Sequence, residues 1–175
     1  MSVNAEKPLQ HPSIGDMCSP DQAYALAVAE GSKGAGWVAP NPLVGCVVVS
    51  SSGRLLASGY HARCGQAHAE VNALDKVTPE DRVGATVYVT LEPCSHYGRT
   101  PPCSERLIKD KVKKVIVGVR DPNPLVSGRG IDQLKQAGIE VLFNESFEKM
   151  SRRLAEQFLW NMTQKKPFLT LKLAM

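Results

Sequence analysis

The sequence predicts an α/β layered fold in which an antiparallel hairpin joins a largely parallel half-sheet. The hairpin is indicated by the apolar run VGCVVVS at 44–50, the SSG turn after it and a second run, RLLASGY, at 54–60. The parallel half is indicated by strand–helix alternation over 113–143, because parallel neighbours need a crossover between them. With 175 residues, of which 43% are hydrophobic and 22% charged, the chain is expected to form one domain with a substantial core.

The first half of the chain is expected to begin with a flexible arm over 1–18, followed by a helix. Ser19 supplies a capping hydroxyl and Pro20 occupies the first helical position, where proline is favoured. This helix should end at the glycines from Gly34 onward. After the hairpin, AHAEVNALDKV at 67–77 predicts a short helix.

The second half alternates more regularly between strands and helices. A polar loop with three prolines follows its first strand, and the last segment, KPFLTLKLAM, has the apolar alternation of a strand. The predicted elements are a strand at 85–91, a helix from Pro101 or Pro102, a strand at 113–119, a helix at 130–138, a strand at 139–143 and a long amphipathic helix at 145–164 capped by Asn144.

Charge and composition limit the classes of function. The formal net charge is +4 and the pI about 8.8, without a dense lysine/arginine block, so the balance suits a small anionic substrate and gives no specific sign of nucleic-acid binding. No apolar run approaches the roughly 18 residues of a membrane span, and the N-terminus lacks the apolar core of a secretory signal. We therefore expect a cytoplasmic protein that binds neither a membrane nor nucleic acid.

Two cysteines, Cys94 and Cys103, frame the proline-rich loop with eight residues between them. In a reducing compartment such a pair more often binds a metal or takes part in catalysis than forms a disulfide. His68 adds an imidazole upstream, so the three residues supply the ligands of a catalytic zinc site whose fourth position stays open. The sequence therefore predicts one catalytic Zn²⁺ per chain.

Glu70 follows His68 by two residues on the predicted helix, too close to share its role as a ligand. Its carboxylate can instead take a proton from an attacking water and deliver it to a substrate nitrogen. His68 and Glu70 reproduce the H-x-E part of the zinc-deaminase signature, and Pro93-Cys94 begins the second part. The next cysteine departs from that signature, because it comes after eight residues and not after two.

A resemblance to a known family accounts for this longer spacing. HAEVNAL at 68–74 and EPCSHYGRTPPC at 92–103 closely resemble the deaminase domain of the bifunctional riboflavin biosynthesis protein RibD, in which the longer spacing is the normal pattern. The similarity extends to APNPLVGCVVV at 39–49, GYH at 59–61 and GVRDPNPLVSGRG at 118–130. It implies a three-layer α/β/α cytidine deaminase-like fold with a central mixed five-stranded sheet.

The resemblance also implies a reaction. In this family an amino group is removed hydrolytically from 2,5-diamino-6-(5-phosphoribosylamino)pyrimidin-4(3H)-one, which gives 5-amino-6-(5-phosphoribosylamino)uracil and ammonia, and Glu70 would be the catalytic residue. A substrate phosphate needs a cation or amide donors. The substrate contacts implied by the resemblance are Arg99 with Thr100 in the loop, Asn41 and His61 at the pyrimidine, and Asn123 at the ribose phosphate.

The resemblance divides the chain further. The deaminase domain would cover 19–145, a C-terminal amphipathic helix 146–166, and the start of a truncated reductase-like domain 167–175. The family's reductase domain binds NADPH, so the resemblance implies neither reductase activity nor nicotinamide binding for these 175 residues. Homo-oligomers, either dimers or tetramers, are also implied.

Other interpretations remain open at the level of sequence. The metal site could be a closed structural one with Cys64, His61 or His96 as its fourth ligand, although Glu70 would then have no purpose. A different zinc deaminase, acting on a nucleoside, guanine or a tRNA adenosine, is the alternative enzyme, and a non-catalytic binding domain is the alternative class. Asn-Pro at 41 and 123 is also a common turn opener.

Overall fold

The computed structural model describes residues 11–98, 101–123, 128–164 and 166–173. Within them a five-stranded mixed sheet lies between helices, which confirms the predicted α/β/α fold. The strands are β1 (Gly45–Val49), β2 (Leu55–Tyr60), β3 (Thr86–Leu91), β4 (Lys114–Val119) and β5 (Glu140–Phe143). The helices are α1 (Pro20–Ser32), α2 (Ala69–Leu74), α3 (Pro79–Arg82), α4 (Cys103–Lys109), α5 (Arg129–Gln136), α6 (Glu145–Leu154) and α7 (Glu156–Gln164).

The strand order is β2-β1-β3-β4-β5. Strand β1 pairs antiparallel with β2 and β3, whereas β3, β4 and β5 run parallel to one another. Because parallel strands end at the same edge of a sheet, the segments that follow β3 and β4 lie side by side. Those segments carry Cys94 and Asp121, and this edge therefore positions the site.

Alternate residues of the strands belong to two separate hydrophobic clusters, one on each face of the sheet. The first face packs against α2, α4 and α5, and the second packs against α1 and α6. Residues Val48, Val87 and Val117 belong to the first cluster, and Val47 and Tyr88 to the second. Both faces are thus covered, as expected of a sheet with parallel strands.

Phe147 anchors α6 in the second cluster. Its side chain is fully buried and stacks on Tyr24 of α1 with ring centroids 4.6 Å apart. We expect Phe147→Ala to lower the free energy of unfolding by about 3–5 kcal/mol, because the substitution removes buried surface and leaves a cavity. Urea denaturation measures this loss, and Phe143→Ala is the matched control. Phe143 is 38% exposed, so its truncation should cost much less.

The predicted long helix at 145–164 is wrong as a single element. It is interrupted at Ala155, where φ is −95° and ψ is 11°, and continues as α7. The physical reason lies in burial. Helix α6 buries Phe147 and Ser151, whereas α7 buries none of its residues. Apolar periodicity predicted both helices but not the break between them.

Both terminal segments differ from expectation in the described residues. Part of the predicted flexible arm is bound to the sheet, because Gly15 and Cys18 donate backbone hydrogen bonds to Leu55 and Gly53. Residues 167–173 form no strand. Apolar residues alternate in this segment, but no strand of the described residues pairs with it. Leu169 and Leu171 are more than four-fifths exposed.

The sequence analysis did not predict helix α3, although Thr78 caps it and Pro79 occupies its first position, which are both start signals.

No helix in the described part of the chain has the length and apolarity needed to cross a membrane.

Candidate metal centre and active site

The predicted metal ligands come together at the edge of the sheet. His68 lies immediately before α2, at its N-cap and not inside the predicted helix, Cys94 follows β3, and Cys103 is the first residue of α4. His68 Nδ1 lies 3.5 Å from Cys94 Sγ and 3.3 Å from Cys103 Sγ, and the three ligand atoms lie within 4.8 Å of one another. Ligands on a tetrahedral zinc ion stand roughly 3.5 Å apart, given Zn–N and Zn–S bonds of about 2.0 and 2.3 Å. The donor set and its spacing therefore fit zinc.

Hydrogen bonds favour the thiolate form of Cys94 over that of Cys103. The pKa of the Cys94 thiol is lowered, first by a hydrogen bond from the Cys103 thiol and then by His68 and the Cys103 amide, which lies 3.3 Å from Cys94 Sγ. The same pairing raises the pKa of Cys103. The interaction with Cys94 also raises the pKa of His68 to about 9. A zinc ion needs two thiolates and a neutral imidazole, so its binding would release protons from this group.

Glu70 lies in the first turn of α2 beside the metal ligands. The residue is only 3% exposed, and burial raises the pKa of its carboxyl to about 7. A carboxyl group with a pKa near neutrality can both accept and donate a proton at physiological pH. Its position and its pKa thus suit proton transfer.

Glu70 faces a cavity of about 240 Å³. A second cavity of about 350 Å³ adjoins it, since both are lined by Asn41, His68, Cys94 and His96. Together they form a polar pocket that opens onto the metal ligands. Its size is in the usual range for small-molecule sites.

His61 and Asn41 form a hydrogen-bonded pair in the wall of this pocket. His61 Nδ1 lies 3.0 Å from the carbonyl oxygen of Ala67, and its Nε2 lies 3.1 Å from Asn41 Nδ2. Because a carbonyl oxygen can only accept, we assign the hydrogen to Nδ1, so that Nε2 accepts from the Asn41 amide. Burial lowers the pKa of His61, in keeping with a neutral ring. The pair fixes which way the Asn41 amide faces.

Asn123 also lines the cavity that Glu70 faces, from the segment after β4. Its backbone amide donates to Asp121 Oδ1 at 2.8 Å, and both residues line the cavity of about 240 Å³. The structure thus brings Asn41, His61 and Asn123 to one cavity with Glu70. The remaining predicted substrate contacts, Arg99 and Thr100, lie outside the described residues.

Sequence reasoning assigned no role to Glu92, Asp121 or Phe158, which also line this cavity. Glu92 and Asp121 lie within the motifs quoted above, at Glu-Pro-Cys and Asp-Pro-Asn, so a signal was present for both. Phe158 comes from α7 and gave no local signal.

The closed structural metal site finds no support among the described residues. Among these residues, the group of side chains that could hold a metal contains His68, Cys94 and Cys103 only. Cys64 is exposed and lines the second cavity, of about 350 Å³. His61 uses both ring nitrogens in the hydrogen bonds above. The three-ligand arrangement keeps a coordination position for water or substrate.

Comparisons with known proteins agree with this geometry. Residues 19–119, more than half of the chain, match the family model of the cytidine and deoxycytidylate deaminase zinc-binding region. The chain is 50% identical over 149 residues to riboflavin biosynthesis protein RibD of Actinobacillus pleuropneumoniae, which covers 85% of this chain and 39% of that protein.

Solved structures show the same relationship. Acinetobacter baumannii RibD, in one crystal form, superposes with a TM-score of 0.79 at 46% identity over 83% of this chain and 40% of that one. The Thermotoga maritima diaminohydroxyphosphoribosylaminopyrimidine deaminase/5-amino-6-(5-phosphoribosylamino)uracil reductase also gives a TM-score of 0.79, at 42% identity, over 85% of this chain and 42% of that one. The chain thus spans about two fifths of the length of these relatives. Because the family model matches more than half of its residues, the chain belongs to the cytidine and deoxycytidylate deaminase zinc-binding family.

Proposed function

We propose that the chain catalyses zinc-dependent hydrolytic deamination of 2,5-diamino-6-(5-phosphoribosylamino)pyrimidin-4(3H)-one to 5-amino-6-(5-phosphoribosylamino)uracil and ammonia, a step of riboflavin biosynthesis. The observation that carries the proposal is the buried Glu70 carboxyl beside an open set of three zinc ligands, at the bottom of a polar cavity. The similarity to RibD proteins supports the choice of substrate within the deaminase family.

The proposed roles follow from where the side chains lie. His68, Cys94 and Cys103 hold zinc, which when bound would supply the Lewis acidity that makes water nucleophilic near neutral pH. Glu70 accepts a proton from the attacking water and passes it to the ring nitrogen, and it then transfers the second proton, from the newly added hydroxyl, to the departing amine. A carbon–oxygen bond forms and the carbon–nitrogen bond breaks, so water is consumed and ammonia released.

The other side chains of the cavity bind and orient the substrate. The amide of Asn41, held by His61, hydrogen bonds to the pyrimidine, and Asn123 hydrogen bonds to the ribose phosphate. Arg99 and Thr100 are assigned to the phosphate by their sequence motif.

Ammonia release by the purified chain tests the function. We expect turnover of the diaminopyrimidine substrate to exceed that of deoxycytidylate, guanine or a tRNA adenosine by at least about a hundredfold, because the buried polar groups of the cavity would be left unpaired by other substrates. A higher rate with one of these three would reassign the substrate. A zinc-loaded chain without any activity would favour the non-catalytic class.

The proposal also covers the setting of the reaction. The 175 residues are expected to carry the deaminase reaction alone, and NADPH-dependent reduction of its product by this chain would contradict that. All five cysteines are free, which supports a cytoplasmic location. The homo-oligomer is proposed from the resemblance only.

A further inference from the structure

The segment between β4 and α5 is held at both ends by one carboxylate, that of Glu92 in the Glu-Pro-Cys sequence. Glu92 Oε1 accepts the backbone N–H of Gly128 at 2.8 Å, and Oε2 accepts that of Asp121 at 3.3 Å. The side chain is buried, with 4% of the residue exposed. A buried carboxylate is stable only when its oxygens are satisfied in this way.

Glu92 is also fixed on its own side. Its backbone amide donates to Val119 at the end of β4, so the residue extends the pairing of β3 with β4 by one step. Pro93 packs so closely against α5 that a Cβ placed on Gly130 would collide with the Pro93 carbonyl oxygen. The backbone that carries the Glu92 side chain is therefore fixed by its neighbours.

From Glu92 a short series of hydrogen bonds leads to the pocket. Glu92 binds the amide of Asp121, and the Asp121 carboxylate binds the amide of Asn123 at 2.8 Å. Asn123 lines the cavity that Asn41 and His61 also line. Cys94, two residues after Glu92, lines it as well.

We infer that Glu92 is a positioning residue: its carboxylate sets the distance between the Cys94 side of the pocket and the Asn123 side by binding Asp121 and Gly128. It need not touch substrate. Since the reaction itself takes place at Glu70 and the metal, a displaced Asn123 should weaken substrate binding more than the chemical step.

Glu92→Gln tests this with little change in volume. The glutamine side chain keeps one acceptor and places a donor against the second N–H, so one of the two hydrogen bonds is lost. We expect amide hydrogen exchange at Asp121 or Gly128, followed by NMR, to become roughly tenfold faster or more. Glu30→Gln is the matched control. Glu30 is another buried glutamate, paired with Lys33 and outside the cavity lining, and its substitution should leave both amides as slow as before.

The kinetic part of the test rests on the proposed function. KM for the diaminopyrimidine substrate should rise roughly tenfold in Glu92→Gln, while kcat stays within about twofold and zinc content is unchanged. In a double variant that carries both Glu92→Gln and Asn123→Ala, the effects of the two substitutions on kcat/KM should be strongly non-additive, because Glu92 acts through the segment that carries Asn123.

Three results would overturn the inference: unchanged exchange at both amides, additive kinetic effects, or loss of zinc with unchanged KM. If the wild-type chain does not turn over this substrate, the proposed function fails, and the exchange experiment still decides the role of Glu92.

Discussion

Replacing Glu70 by glutamine is expected to lower kcat for ammonia release by roughly 10²–10⁴-fold while one zinc ion per chain stays bound. Glutamine has nearly the same shape as glutamate but cannot take a proton from water. Glu70 is 3% exposed and lines the same cavity as His68 and Cys94. The measurement is steady-state ammonia release, with zinc content determined on the same samples.

The control for this substitution must separate lost chemistry from lost folding. Glu30→Gln changes another buried glutamate, one that pairs with Lys33 on α1 outside the cavity, and should keep full activity. An unchanged melting temperature of Glu70→Gln would show that the fold is intact. No loss of stability is expected, because the neutral glutamine side chain replaces a carboxyl whose charged form is disfavoured by burial. Substantial activity of Glu70→Gln would rule out its proposed role.

The candidate metal centre was the part of the molecule most directly indicated by the sequence. His68, Glu70, Cys94 and Cys103 lie within short motifs whose chemistry depends on residue type and spacing. Cys94 and Cys103 lie at the ends of one loop, and His68 Nδ1, at the N-cap of α2, lies 3.5 and 3.3 Å from their sulfurs.

What the sequence did not reveal depends on contacts between distant segments. The role of Glu92 arises from backbone amides 29 and 36 residues away, which no local pattern encodes. Phe158 lines the cavity from α7, a helix that local patterns did not separate from α6. The apolar alternation of 167–173 was correctly recognised, but a strand also needs a partner for its backbone hydrogen bonds.

Cys103→Ser is expected to abolish zinc binding at micromolar concentrations and to reduce ammonia release to background. The residue is fully buried and its sulfur lies 3.3 Å from His68 Nδ1, so a hydroxyl there cannot replace the soft thiolate ligand. Cys64→Ser is the matched control, because Cys64 is exposed and lines the second cavity. It should retain one zinc ion per chain. Loss of zinc in Cys64→Ser would instead restore the closed structural site with a fourth ligand.

Chelation of the unmodified chain makes the same comparison without a substitution, in case Cys103→Ser does not fold. A ligand that binds only the folded state at a hundredfold its Kd stabilises that state by about 2.7 kcal/mol, so stripping zinc should lower the melting temperature measurably. Cobalt added to the stripped protein should then give the intense d–d and thiolate charge-transfer bands of a tetrahedral site with two sulfur ligands. Octahedral bands without charge transfer would show that Cys94 and Cys103 do not hold the metal. Because activity, stability and spectrum all depend on the same three side chains, they should be lost and regained together.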